Sequence, residues 1–186
     1  MTHIVVTGLP ASGKSTVGEL LHRELGVPLL DKDTILESLY DTLGSRDRDE
    51  RSRLSRASDE VLLALAAMSE TAVLVNWWRD DVARRLLSLG LPLVEVFCDC
   101  PFETAAARFE ARERHPGHHD RARTPAEVEL AASQLRATWR GPLHLGSLVR
   151  VDTSDGLDAP DVVSRVRQAC ADLEARICVE PRSRGD

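Results

Sequence analysis

Hydrophobic residues along the chain follow two alternating patterns, short β-branched runs and longer stretches with apolar positions three or four residues apart. The short runs predict strands and the longer stretches predict amphipathic helices. Strands are expected at 3–7, 27–30, 71–76, 93–98 and 148–151. Helices are expected at 14–25, 34–43, 79–89, 101–113, 124–140 and 161–176, with a further long helix ending near 68. This alternation predicts an α/β fold, a three-layer sandwich with a five-stranded parallel sheet.

Capping residues indicate where some of these helices begin and end. Gly26 follows the first helix, as expected of a residue that adopts positive φ at a helix C-terminus. Thr124, Pro125 and Glu127 form a capping box with proline at the first helical position. The stretch 44–56 is the most polar of the chain, and we expect a solvated loop or helix start there rather than a binding surface.

The turn after the first strand carries the P-loop pattern, two glycines bracketing four residues and followed by lysine and serine. Gly8 and Gly13 permit backbone angles that point successive N–H groups at an anion, and the helix that follows adds the positive end of its dipole. Lys14 would neutralise the β- and γ-phosphates, and the Ser15 hydroxyl would ligate Mg²⁺. The pattern therefore predicts a site for ATP or GTP with Mg²⁺. The residues expected to hold the nucleotide are Gly8, Ala11, Ser12, Gly13, Lys14, Ser15 and Thr16.

Two carboxylates end the second predicted strand, which should lie near the P-loop at the ligand-binding edge of the sheet. Asp31 and Asp33 are two residues apart, so on an extended segment they would face the same side. One carboxylate could hold Mg²⁺ through a bound water while the other accepts the proton of an attacking hydroxyl, as phosphoryl transfer requires. A local role is the alternative, because Asp33 also stands where it could cap the next helix.

Three classes of protein are compatible with the P-loop itself: small-molecule kinases, switch or motor NTPases, and polynucleotide-end kinases. The chain has no Asn/Thr-Lys-x-Asp guanine motif, which argues against a Ras-type GTPase. Its third strand ends in neutral Asn76, whereas motor ATPases usually end this strand in acidic residues. The net charge of −6 argues against a protein that binds nucleic acid through its phosphates. A small-molecule kinase is the favoured class.

Three segments resemble the P-loop small-molecule kinases: 8–15, the strand end 31–33, and 98–101 with Arg108 and Arg112 after it. The nearest groups are the chloramphenicol phosphotransferase-like proteins and their zeta-toxin and AAA_33-type relatives. Shikimate and gluconate kinases are more distant. The resemblance extends from about residue 3 to residue 154, so it covers most of the chain.

This resemblance implies roles for single residues. Asp33 would be the catalytic base, and Asp31 would support the metal beside Ser15, although some relatives have no carboxylate at that position. Thr153 would belong to the loop on the nucleobase side.

The resemblance also implies an arginine-rich, mobile lid over 113–124. Arg112 and Arg114 would stabilise the transferring phosphoryl group, because a guanidinium is always charged and its fork matches phosphate oxygens. Arg108, four residues before Arg112 on the same predicted helix face, would pack near the nucleobase, and Arg121 lies in the same loop. A solvated arginine-rich face is the alternative, since arginine is common throughout the chain.

The acceptor pocket is expected after the third strand, where Asn76, Trp77 and Arg79 would line it. The pair Trp77 and Trp78 could form the wall of a pocket for a ring or sugar, or could pack in the core. The helical segment 34–70 would cover this pocket.

Cysteines and histidines suggest a metal site only weakly. His115, His118 and His119 could join Cys98 and Cys100, but this spacing matches no structural zinc motif. We expect the cysteines to be small apolar residues of a reduced protein.

Length and composition set the organisation. With 186 residues, 42% of them hydrophobic, we expect a single P-loop kinase domain over 1–178 and a flexible tail at 179–186. The apolar runs are too short to span a bilayer and the first residues lack a signal-peptide pattern, so we expect a cytoplasmic location.

The sequence thus predicts a Mg²⁺-dependent phosphotransferase that moves the γ-phosphate of ATP or GTP to a hydroxyl of a small molecule, with an antibiotic as one candidate acceptor. A nucleoside or nucleotide kinase is one alternative. A regulatory protein that binds nucleotide without turnover is the other. We expect no nucleic-acid or membrane partner, and the sequence leaves the oligomeric state open.

Overall fold

The computed structural model describes residues 2–118 and 124–179 and shows a parallel sheet of five strands with helices on both faces. The strands are β1 (His3–Gly8), β2 (Leu29–Asp31), β3 (Val73–Val75), β4 (Leu93–Asp99) and β5 (Ser147–Asp152). The helices are α1 (Lys14–Leu25), α2 (Lys32–Leu43), α3 (Arg48–Met68), α4 (Asp80–Ser88), α5 (Phe102–Ala111), α6 (Pro125–Thr138) and α7 (Ala159–Val179). A 3-10 turn covers Pro116–His118. The expected α/β sandwich is confirmed.

The sheet has the strand order β2-β3-β1-β4-β5, and all of its pairings are parallel. β1 is therefore central, with Ile4 opposite Val73 on one side and Gly8 opposite Cys98 on the other. The P-loop leaves the carboxyl end of β1 between the ends of β3 and β4. Ligands of open α/β sheets bind at this edge, so the order of the strands positions the site.

Both faces of the sheet are packed, as the near-continuous apolar strands require. Ile4 and Val6 of β1 contact the core beneath α1 and α7, where Leu21 is fully buried. Val5 points to the opposite face and packs with Leu62 and Leu86 from α3 and α4. In the described part of the chain, no helix is long and apolar enough to cross a membrane.

Several helix limits differ from the predicted ones, and side-chain caps explain the starts of α2 and α3. α2 begins at Lys32, two residues early, because the Asp31 carboxylate accepts the amide of Asp33 at 2.8 Å. Asp47 caps α3 in the same way, so most of the polar stretch is helix. α5 ends at Ala111, and α7 continues to Val179. The expectations for Arg121, His119 and the tail beyond 179 lie outside the described residues.

Glu95 joins two parts of the fold from the middle of β4, where it is completely buried. Its carboxylate accepts hydrogen bonds from the Thr7 hydroxyl at 2.7 Å and from the amides of Leu143 and Leu145 at 2.8 and 3.1 Å. These bonds fix the connection between α6 and β5 against the sheet.

Candidate active site

A cavity of about 1120 Å³ opens at the carboxyl edge of the sheet. It is larger than the roughly 300–1,000 Å³ usual for one small ligand, so two molecules can fit together. Most of the residues expected at the site line it: Ala11, Gly13, Lys14, Ser15, Thr16, Asp31, Asp33, Asn76, Trp77, Arg79, Arg108, Arg112, Arg114 and Thr153. Gly8 and Ser12 do not line it.

The P-loop has the backbone of an anion cradle. Gly8 and Gly13 have φ of +142° and +95°, and even Ala11 between them is left-handed at +58°. A Cβ at Gly8 would stand 2.6 Å from the Ser12 hydroxyl and 2.9 Å from the carbonyl oxygen of Cys98. Only glycine fits there, so the sequence folds this loop into a close turn that points its amides at the cavity.

The side chain of Lys14 is hydrogen-bonded to the backbone of its own P-loop. Its ammonium donates to the carbonyls of Leu9 at 2.7 Å and Gly8 at 3.2 Å, and it stands 5.8 Å from the Trp77 ring centre. Burial lowers the pKa of Lys14 to about 8, and the negative charges of Asp33 and Asp31 partly oppose that shift. A triphosphate in the loop would replace weak carbonyl partners with strong anionic ones.

Ser15 and Asp31 supply the oxygen ligands that Mg²⁺ prefers. The Ser15 hydroxyl donates to Asp31 Oδ2 at 3.2 Å, while the other carboxylate oxygen caps α2. Burial raises the pKa of Asp31, because the charged form is desolvated. Mg²⁺ usually takes one or two protein oxygens and completes its shell with phosphates and waters, so this donor pair fits it. Among residues 2–118 and 124–179 no cluster of three potential zinc ligands occurs.

Asp33 lies in the first turn of α2 and does not cap the helix. The local alternative for it is therefore wrong, because Asp31 takes the capping role. The Asp33 side chain is 49% exposed, faces the cavity, and pairs with Arg114 at 3.4 Å. A carboxylate held this way can accept a proton from a hydroxyl brought into the cavity.

The guanidiniums of Arg112 and Arg114 lie near the same aromatic ring. The guanidinium carbons of Arg112 and Arg114 lie 5.1 and 5.8 Å from the Phe109 ring centre. Arg112 is the extended residue after α5, so the expectation that it shares a helix face with Arg108 is wrong. Both guanidiniums nevertheless line the cavity.

The segment after α5 is anchored on α2 by histidines. His118 is buried, with Nε2 3.0 Å from Glu37 and 3.4 Å from Arg114. His115 contacts Asp41 at 2.9 Å and stacks on Tyr40, whose ring also meets His118 edge-on. His118 thus contacts both Glu37 of α2 and Arg114, a link that the sequence pattern did not indicate.

The guanidinium of Arg108 is hydrogen-bonded to backbone carbonyls. Its guanidinium donates to the carbonyl of Thr153 at 2.7 Å and to that of Ser154. This contact draws the loop after β5 towards the P-loop, where a Cβ on Gly13 would meet Thr153 at 3.6 Å. Arg108 and Thr153 therefore form one wall of the cavity together.

Some residues after β3 line the cavity, and others pack in the core. Asn76 is buried and donates its amide to Asp59 at 2.9 Å, and Arg79 pairs with the same carboxylate at 3.0 Å. Sequence reasoning missed Asp59, a buried acid inside a helix. Trp78 is buried, with its indole donating to the carbonyl of Val6 at 3.0 Å, so only Trp77 of the pair lines the cavity.

Trp77, which lines the cavity, belongs to an aromatic stack. Its ring lies 6.0 Å from that of Trp139 at an interplanar angle of 18°. Trp139 in turn stacks on Phe97 at 6.1 Å. The stack joins the segment after β3 to the end of α6.

One face of α3 also lines the cavity, so part of the polar stretch 44–56 borders the candidate site. The residues concerned are Arg51, Ser52, Ser55 and Arg56. Their spacing of one and four residues is that of a single helix face, and this is the signal that could have identified them.

Comparisons with known proteins give one family model and several similar kinases. The AAA domain model AAA_33 matches residues 4–137. The chain is 38% identical over 121 residues to the adenylyl-sulfate kinase of Emericella nidulans, over 56% of this chain and 58% of that protein. It is 41% identical over 64 residues to the shikimate kinase of Paracidovorax citrulli, over 33% of this chain and 35% of that protein. The chain spans little more than half the length of the first relative and about a third of the second.

Two solved structures share the fold. A crystal structure from Chloroflexus aurantiacus, described as a candidate kinase, has a TM-score of 0.78 and 32% identity, over 90% of this chain and 97% of that one. A gluconokinase from Sinorhizobium meliloti has a TM-score of 0.62 at 19% identity, over 97% and 98% of the two chains. The second likeness shows the fold alone.

Proposed function

The chain belongs to the AAA_33 family, and from this we propose that it is a Mg²⁺-dependent kinase that transfers the γ-phosphate of ATP or GTP to a hydroxyl of a small molecule. One observation carries the proposal. The P-loop with Lys14 and the carboxylate of Asp33 face the same cavity of about 1120 Å³, which has room for a nucleotide and an acceptor.

The P-loop side of the cavity binds the donor. The amides of the loop and the ammonium of Lys14 hold the β- and γ-phosphates, and Gly13 places the start of α1 behind them. Ser15 and Asp31 hold Mg²⁺, which when bound offsets the charge of the phosphate oxygens. Arg108 and Thr153 form the wall on the nucleobase side.

Asp33 and the lid arginines carry the transfer step. Asp33 takes the proton of the acceptor hydroxyl as the oxygen bonds to the γ-phosphorus and the bond to the β-phosphate oxygen breaks. Arg114 turns from Asp33 to the phosphoryl group, and with Arg112 it stabilises the charge of the transition state and excludes water. Arg114 therefore releases the Asp33 carboxylate only when a phosphate is present to pair with Arg114 in its place.

Trp77, Arg79 and Asn76 form the acceptor side, with α2 and α3 above it. Hydroxylated antibiotics and sugar-like metabolites are the acceptors that we propose to test. An acceptor with a nucleotide group is the second candidate, favoured by the similarity to adenylyl-sulfate kinases.

An ADP-release screen over hydroxylated acceptors tests the proposal. We expect one acceptor class to raise ADP release far above the rate with water alone, and Asp33→Asn to remove that increase. Tight nucleotide binding without stimulation by any acceptor would contradict the kinase proposal and favour a regulatory nucleotide-binding protein.

A further inference from the structure

Among the residues that the structure describes, no carboxylate pairs with two basic side chains on the acceptor side. Lys32, at the start of α2, is 8% exposed, and its ammonium donates to the Ser55 hydroxyl at 2.9 Å. Arg51, one turn before Ser55 on α3, lines the cavity, and its Nε is buried with no hydrogen-bond partner among the described residues. No carboxylate oxygen of those residues lies within 4.0 Å of either cation.

The nearby carboxylates are already engaged. Asp59 pairs with Arg79 and accepts from Asn76, and Asp33 pairs with Arg114. A buried cation without an anion is costly, and proteins keep such groups where a ligand completes the pair.

We infer that the acceptor carries an anionic group, a carboxylate or a phosphate or sulfate ester, that binds between Lys32 and Arg51. This inference rests on the proposed function and names its substrate class. Lys32 precedes Asp33 directly on α2, so an anion bound at Lys32 brings the rest of the acceptor to the catalytic carboxylate. Ser55 lines the same wall, and its hydroxyl, which accepts from Lys32, can donate its own proton to the anion.

The same cations select against neutral acceptors. A neutral molecule in this pocket would remove water from Lys32 and Arg51 and return no charge, a loss that discriminates more strongly than a missing apolar contact. Neutral sugars and neutral antibiotics should therefore be poor acceptors.

Sulfate binding tests the site directly, without turnover. The full chain is saturated with a non-hydrolysable ATP analogue and Mg²⁺, so that sulfate cannot occupy the P-loop, and sulfate is titrated by calorimetry. We expect Lys32→Met and Arg51→Met each to weaken binding about tenfold or more, as loss of a charge-assisted hydrogen bond does. Arg53→Met, an exposed arginine of the same helix, is the matched control and should leave sulfate affinity unchanged.

One further variant and one stability measurement separate binding from folding. Arg51→Lys keeps the charge and should retain most of the sulfate affinity. Removal of a cation without a counter-ion should not lower the midpoint of thermal unfolding in sulfate-free buffer. If sulfate binds the Lys32→Met and Arg51→Met chains as tightly as the unaltered chain, the inference is wrong.

Matched acceptors connect the anion site to turnover. Gluconate against glucose, and shikimate against its methyl ester, test a carboxylate, while sugar phosphates and sulfate esters form a second arm. We expect ADP release only with the anionic member of a pair. Equal turnover of the neutral member would overturn the inference and leave the kinase proposal intact. Sulfate binding that depends on Lys32 without turnover of any acceptor would preserve the anion site and contradict the kinase proposal. If the ATP analogue does not bind, the sulfate titration is carried out on the Lys14→Met chain instead. In that chain the P-loop is disabled as a competing sulfate site.

Discussion

At the scale of single residues, the partners of Asp33 determine what can be tested. Its carboxylate lies in the cavity and contacts Arg114 at 3.4 Å, and it makes no capping bond that a substitution would disturb. We expect Asp33→Asn to lower turnover about 10²–10⁴-fold, the usual effect of removing a general base, with nucleotide affinity nearly unchanged. Steady-state ADP release and calorimetry measure the two quantities. Asp49→Asn, on the exposed start of α3, is the control, and native turnover by Asp33→Asn would disprove the assignment.

Lys14 gives the second prediction at this scale, through pH. Because burial lowers its pKa from 10.5 to about 8, the nucleotide-free chain loses this charge as pH rises through about 8. Phosphate favours the charged amine, so nucleotide affinity should fall over the same range and binding should take up protons there. Calorimetry in two buffers of different ionisation enthalpy measures this uptake. Lys14→Met should remove both effects, and an affinity that is flat from pH 7 to pH 9 would contradict them.

The lowered pKa of Lys14 also makes the free energy of unfolding depend on pH. Between about pH 8 and pH 10.5 the unfolded chain holds a proton on Lys14 that the folded chain has lost. The contribution of Lys14 to the free energy of unfolding therefore rises with pH in that window and is least favourable below it.

The P-loop turn was predictable because its pattern is local in sequence. The P-loop needs only Gly8, Gly13, Lys14 and Ser15 in order, so its position could be read directly. The role of Asp59 depends on Asn76 and Arg79, which reach it from another element, so no local pattern shows it.

At the scale of elements, the contact between α2 and the segment after α5 governs the position of Arg114. Gly117 packs against the Tyr40 ring so closely that a Cβ would overlap it, although its own backbone is not left-handed. We expect Gly117→Ala to displace Tyr40, weaken the His118–Glu37 bond and lower kcat while nucleotide affinity stays the same. Steady-state kinetics and calorimetry test this, with Pro116→Ala, at an exposed neighbour, as the control. A Gly117→Ala chain with native kcat would show that this contact does not position Arg114.

Element types were predictable because periodicity and caps are encoded within each segment. The start of α2 was not predictable in this way. Whether Asp31 or Asp33 caps the helix depends on which of the two carboxylates contacts the P-loop. The cavity-facing side of α3 depends on how α3 packs on α2, and a polar segment alone does not specify which of its faces is covered.

At the scale of the whole molecule, Glu95 is a buried acid whose bonds join β1, β4 and the chain after α6. In Glu95→Gln the amide group must face at least one donor, because Thr7, Leu143 and Leu145 all donate to this side chain. We expect the free energy of unfolding to fall by about 1–3 kcal/mol, the cost of a buried donor left without a partner. Urea denaturation measures the change, with Glu103→Gln on exposed α5 as the control. Unchanged stability would mean that the network adds nothing.

The fold as a whole followed from the alternation of strand and helix patterns, but the strand order did not. It arises from which apolar faces meet, as where Val5 packs with Leu62 and Leu86. The size of the cavity likewise depends on the distance between α3 and α5, which no segment encodes alone.

The stack of Trp77, Trp139 and Phe97 gives the protein an intrinsic optical reporter. The Lys14 ammonium stands 5.8 Å from the Trp77 ring, while Trp78, enclosed in the core, supplies a constant background. Withdrawal of that ammonium towards a triphosphate would alter the indole emission. Occupancy of the loop and movement of the end of α6 could then be followed in real time on unlabelled protein.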